Sequence, residues 1–153
     1  MIPYPHITAS RPLPVPWRHW AGWPVLLSAL KDEHPLVREN AARALETALE
    51  TDNREILAAL EPLLHDAVRN VRVEAAWALR ATVDMQSQAG RELQQAMDFD
   101  SDQPTGQYKQ GMFFLARKQP EKALEHFMKA AAWDPYSPPF REATVEVLKQ
   151  LKR

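Results

Sequence analysis

The chain has 153 residues, 45% of them hydrophobic, and carries 19 basic against 20 acidic side chains for a formal charge of -1. That length fits one domain or one continuous array of three or four helical hairpins. The balanced charge gathers no phosphate, so nucleic acid is not an expected partner. With no cysteine, disulfides, thiolate nucleophiles, Cys-ligated zinc and CxxCH haem attachment are all excluded.

Residues 1–16 hold Pro3, Pro5, Pro12, Pro14 and Pro16. Proline fixes φ and donates no hydrogen bond, so this stretch reads as an extended arm, too broken to be a signal peptide's apolar core. The run RPLPVP spaces its prolines as P-x-P-x-P, which is not the PxxP of proline-recognition ligands. Trp17, Trp20 and Trp23 follow at i, i+3 and i+6. On a short helix they share one face, as a ligand platform or as a cap over an open end of stacked repeats. Residues 1–22 are read as arm and cap. The longest apolar run, Trp23–Leu30, is far short of the roughly 20 residues of a membrane span. No membrane insertion is expected, and the location reads as cytoplasmic.

Residues 26–45 and 60–79 are one sequence written twice. Leu26/Leu60, Leu30/Leu64, Asp32/Asp66, Val37/Val71, Arg38/Arg72, Ala41/Ala75, Ala42/Ala76, Ala44/Ala78 and Leu45/Leu79 are each offset by 34. A fixed period in this range marks helical hairpins that bury their apolar faces only by stacking. The elements expected in chain order are a short helix after Pro24, broken at Asp32–Pro35, and a helix over 36–49 with Val37, Ala41, Ala44, Leu45, Ala48 and Leu49 inward. A turn at Asp52-Asn53 follows, then helices over 54–64, 68–82 and 88–98, the last with Leu93, Ala96 and Met97 inward. The paired alanines let neighbouring helices approach closely. Asp32 and Asp66 fall between helices, and Arg38 and Arg72 sit one turn into the next helix, where each can reach a neighbouring repeat's aspartate. These four residues are read as a structural ladder rather than as catalysts.

The pattern D-x5-V-R-x2-A-A-x-A-L resembles the HEAT repeat, in a short bacterial form similar to the HEAT-like repeats of phycobilisome lyases. Two copies cover roughly 24–84, and 86–98 resembles the first helix of a third whose second helix is missing. In its place Gly111, Phe114, Ala123, Phe127, Ala130 and Pro135 stand at the spacing of the tetratricopeptide (TPR) repeat. That resemblance implies a close crossing of Gly111 against Ala123, a gap filled by Phe114 and Phe127, and a helix ended at Pro135. Gln107 replaces the usual tryptophan, which implies a looser start. A last helix with Phe140, Ala143, Val147, Leu148 and Leu151 then closes the array. The order of repeats also resembles the carboxy-terminal region of bacterial multihaem cytochrome c proteins, whose haem motif is absent here. If the chain is a fragment of such a protein, its compartment is periplasmic.

Nothing in the pattern announces catalysis. The five histidines never pair at i, i+4, the four glycines form no phosphate loop, and no serine sits in a nucleophile elbow. No metal or cofactor is expected. One difference between the copies is informative: Glu39 and Arg43 on the first become Val73 and Trp77 on the second. The stripe Val73, Trp77, Arg80, Ala81 therefore marks either a self-covered face or a partner site, while the matching face with Glu39 and Arg43 should be open to water. On the TPR side Thr105, Tyr108, Met112 and Leu115 are expected on the concave helix.

The resulting expectation is an all-α, right-handed α-solenoid. It comprises the arm (1–22), HEAT-like repeats (23–100) and a TPR hairpin with closing helix (101–153). Its function would be non-catalytic adaptor or docking, with Val73, Trp77, Arg80, Ala81, Tyr108 and Met112 meeting another protein or peptide. Self-association through the arm or the Trp77 face stays open. Two alternatives are a haem-free relative of a multihaem cytochrome that docks a redox partner, and a HEAT-like tetrapyrrole lyase.

Overall fold

A computed structural model describes residues 22–47 and 54–152. The described residues form eight α-helices and no strand. These are α1 (Gly22–Ala29), α2 (Pro35–Glu46), α3 (Arg54–Leu60), α4 (Arg69–Ala78), α5 (Gln88–Phe99), α6 (Pro104–Ala116), α7 (Pro120–Trp133) and α8 (Pro138–Leu151). The Asp52-Asn53 turn, Ala48, Leu49 and the arm lie outside the described residues.

Four helices, α2, α6, α7 and α8, begin on a proline. Its missing N–H would have no partner in a first turn, and its φ is already helical. The helix α5 starts differently: the Ser87 hydroxyl accepts the Gly90 N–H at 3.0 Å, a side-chain N-cap. The helix expected over 54–64 is α-helical only to Leu60, and Glu61–His65 tightens to a 3-10 turn. Pro62 explains the change, since it cannot donate to the carbonyl four residues back. The helix expected over 68–82 ends at Ala78. Beyond it, Arg80 N–H donates to the Trp77 carbonyl and Thr82 N–H to that of Leu79, three residues back in each case.

The helices stack in chain order. Contact is extensive between α1 and α2, α2 and α4, α4 and α5, α6 and α7, and α7 and α8, but slight between α5 and α6. A long core runs from Leu30 through Leu45, Ile56, Leu60, Val71, Leu79, Leu93 and Met97 to Phe113. A smaller one is built on Ala123, Phe127 and Val147. Four inward assignments are corrected. Val37 and Ala44 are exposed, with Ala42 buried in their stead, and Leu148 and Leu151 on α8 are exposed. Neighbouring helices cover α2 and α8 on one side only, so the buried arc is narrower than the apolar stripe.

The helix α6 packs chiefly on α7 and only slightly on α5, while its Phe113 joins the end of the long core. Its C-terminus ends on Lys118, the one non-glycine among the described residues with positive φ, 56°. Gln119 N–H donates to the Phe114 carbonyl at 2.9 Å and Lys118 N–H to that of Leu115 at 3.0 Å, the Schellman arrangement usually given to glycine.

Candidate docking groove

Val73 and Trp77 lie half-buried on α4, beside the thin α5–α6 joint. They line a groove of about 330 Å³ together with Leu93, Ala96 and Met97 of α5. Its rim is charged, and the charges are matched within the chain. Arg43 Nη2 pairs with Glu74 Oε1 at 2.6 Å and with Glu39 at 3.1 Å. Arg80 Nη1 pairs with Glu46 Oε1 at 2.7 Å, and the Arg80 guanidinium stands 4.5 Å from the centre of the Trp77 ring. Lys109 of α6 faces Asp100 at 3.8 Å. Glu46 and Arg80 occupy equivalent repeat positions, 34 apart, so a sign reversal at one position couples neighbouring repeats.

The expected stripe is thus partly changed. Ala81 lies beyond the end of α4 and is exposed, outside the groove lining. Trp77 is covered on one face by Arg80, and the arm's part lies outside the described residues. The matching face of α2 is not simply open. The Glu39 side chain is only 15% exposed, because Arg43 crosses it to reach α4.

Tyr108 and Met112 are not brought to this groove. They face the other side of α6, in a depression of about 750 Å³ shared with Leu115 and with Arg141, Val145 and Lys149 of α8. The Tyr108 ring packs on Phe127 and Phe140 at 5.4 and 5.2 Å between centroids. Thr105 is exposed and lines neither. Of the six expected partner residues, Val73 and Trp77 line one depression and Tyr108 and Met112 the other, while Arg80 covers the Trp77 ring and Ala81 lines neither.

The ladder is also placed, with one exchange of partners. Arg38 holds Asp66 through two bonds, Nε to Oδ2 at 2.7 Å and Nη2 to Oδ1 at 2.9 Å, while its Nη1 donates to the Asp32 and Glu33 carbonyls. Arg72 repeats the motif on the Asp66 and Ala67 carbonyls. Its fork, however, grips Glu92 of α5 at 2.8 and 2.6 Å, not an aspartate. Asp32 keeps its carboxylate for its own turn, accepting His34 N–H at 2.8 Å. A third rung was not foreseen. Gln107 Nε2 donates to the Ser101 carbonyl at 2.5 Å, six residues back as in the two arginine rungs, and its Oε1 takes His126 Nδ1 at 2.8 Å. Gln107 is buried, so the looser start expected there is corrected. The 34-residue period gave no signal for this rung, since Gln107 and Ser101 each lie 35 residues beyond Arg72 and Asp66.

The electrostatics follow the geometry. The Arg38 hydrogen bonds hold Asp66 below the usual carboxylate range, and those of Arg72 do the same for Glu92. Burial, aided by Lys129, pushes His126 below its ordinary value. Since Gln107 Oε1 can only accept, the Nδ1 nitrogen carries the proton.

On α6 and α7, the side chain nearest to Gly111 is Phe127. A β-carbon at Gly111 would lie 2.5 Å from the Phe127 ring, one helical turn beyond Ala123 on α7. Ala123, Phe127 and Ala130 are fully buried, whereas Phe114 is half-buried, stacked on the His126 ring at 5.2 Å. Its neighbour Phe113 takes the buried position. Pro135 is exposed, two residues past the end of α7. Among the described residues no group of three or more His, Asp or Glu side chains is placed to hold a metal ion, and no helix is long and apolar enough to cross a membrane.

The profile of HEAT repeats matches residues 23–106. The chain belongs to the HEAT-repeat family. The matched span covers α1 to α5 and ends in the first turn of α6. No characterised protein and no solved structure matches the chain. HEAT repeats commonly serve as scaffolds for protein interaction, and an all-helical stack suits that use.

Proposed function

We propose that this HEAT-repeat chain is a non-catalytic docking module, and that its contact with a partner protein centres on the groove of Val73, Trp77, Leu93, Ala96 and Met97. The observation that carries the reading is an apolar floor inside a rim whose ion pairs are already matched within the chain. A rim of that kind offers no free charge to a ligand. The occupant is therefore an uncharged, apolar side chain, and about 330 Å³ accommodates one or two of them. Tryptophan is enriched at the centres of such contacts. The TPR-like spacing on α6 and α7 supports a second surface on the far side of α6, around Tyr108 and Met112.

The test is retention of partner proteins on the intact chain against Val73→Glu and Trp77→Ala, with circular dichroism to show that each variant stays folded. A partner of the groove is released by both and stays bound at raised salt. Retention unaffected by either variant would remove the groove from the function.

A further inference from the structure

The first repeat carries an interface with nothing described upon it. In the second repeat Leu60, Leu63, Val71, Ala75 and Ala78 are buried, and α4, which carries the last three, packs against α2 of the first repeat. Their equivalents 34 residues earlier are Leu26, Ala29, Val37, Ala41 and Ala44. These keep the apolar identity, yet Leu26 and Ala29 are only half-buried, Ala44 is exposed and Val37 is 39% exposed, against 0% for Val71. With Leu36, which is 57% exposed, they line an apolar groove of about 460 Å³ between α1 and α2. Its one polar lining residue, Asn40, turns its amide back to the Leu36 carbonyl at 2.7 Å, so the groove holds no side chain seeking a polar partner. A surface apolar at the very positions buried in the next repeat is built to be covered.

We infer that residues 1–21 of the same chain seat in this groove, as an intramolecular cap that replaces a preceding repeat. The segment joins α1 directly at Gly22, beside the groove. A helix of eight residues is about 12 Å long, so some four to five extended residues suffice to run back along it. The segment is shorter than the 34-residue period and interrupted by proline, which suits a single extended strand and not a hairpin. It supplies Leu13, Val15, Trp17 and Trp20 as apolar side chains. Its charged side chains are Arg11 and Arg18, with no acid, while the exposed acids Asp32 and Glu33 stand in the α1–α2 turn.

The absence of cysteine allows one nitroxide to be placed, at Asn40→Cys on the groove rim. Indole N–H signals of the five tryptophans are then compared before and after reduction of the label in the full chain at low concentration. Trp23, on α1, must be broadened, and Trp133, on α7, must not. Loss of the Trp17 or Trp20 signal, restored by adding Val37→Glu to the same labelled chain, is the expected result. Persistence of both signals overturns the inference. So does broadening that arises only when a labelled, isotopically silent copy is mixed with an unlabelled observed one, which assigns the groove to a second molecule. Loss that survives Val37→Glu also overturns it, since the segment would then lie near the rim without occupying the groove.

Discussion

The two HEAT-like hairpins before residue 84 and the helices α6 to α8 after residue 103 solve the same packing problem with different chemistry. In the first region the core is aliphatic, and each turn is tied to the next element by an arginine fork on a carboxylate, Arg38 on Asp66 and Arg72 on Glu92. In the second the core turns aromatic, with Tyr108, Phe127 and Phe140 in contact. The equivalent rung there is neutral, Gln107 on His126. The rung geometry survives the exchange because it depends on one donor arm reaching a carbonyl six residues back. The charge does not survive, because α7 presents the His126 ring at this position, whose Nδ1–H a neutral amide oxygen can accept and an arginine cannot. The comparison separates what a rung must do from what it is made of.

The comparison breaks most sharply at Gly111. Gly111→Leu should cost roughly 3 kcal/mol or more, since even a β-carbon meets the Phe127 ring at 2.5 Å and the core cannot yield to a branched side chain. Denaturant titration should show the α6–α8 region unfolding early, with the first region nearly unchanged. A single unshifted transition would mean that the crossing tolerates size.

Asp66→Ala should cost about 1–2 kcal/mol, the worth of charge-assisted bonds discounted for the water that reaches them. It removes the Arg38 fork and the acceptor of Val68 N–H at once. Gln107→Ala should cost about 1 kcal/mol, because its bonds are neutral. Raised salt should shrink the first effect and leave the second; equal salt dependence would erase the distinction drawn between the rungs.

The two regions should also answer to pH in different windows. Asp66 and Glu92 titrate lower in the folded chain than unfolded. Their contribution is present above the unfolded value of about 4 and lost as pH falls through the folded values. His126 is also lowered from 6.5, but for a base this means the unfolded chain takes the proton first. Stability in the second region should decline as pH falls below about 6.5 and level off once the folded histidine is protonated. Melting temperatures from pH 8 to 3 should show two steps, and His126→Gln should abolish only the upper one.

The smallest expected effect is a gain. Lys118→Gly should stabilise by about 0.5–1 kcal/mol, because the left-handed conformation at φ 56° suits glycine better than a residue with a β-carbon. A melting temperature that falls would show that the lysine side chain contributes something the backbone does not reveal.

The sequence by itself determined the repeat, its period and the presence of an arginine ladder. These follow from spacing and local backbone rules, which act over a few residues and are legible one position at a time. It also marked Trp77 as the place where two copies meet different surroundings. Only the tertiary structure decided which carboxylate each arginine takes. Arg72 turns to Glu92 on α5, while Asp66 is held by Arg38, because α5 crosses close to the Arg72 fork. It likewise decided that α6 packs on α7 far more than on α5, that Gly111 accommodates Phe127, and that Tyr108 and Met112 lie across α6 from Trp77. These are distances between helices, set by how side chains of different bulk fill the space between them. A linear spacing carries the angle of a residue around its own helix, but not the height and tilt at which the next helix arrives.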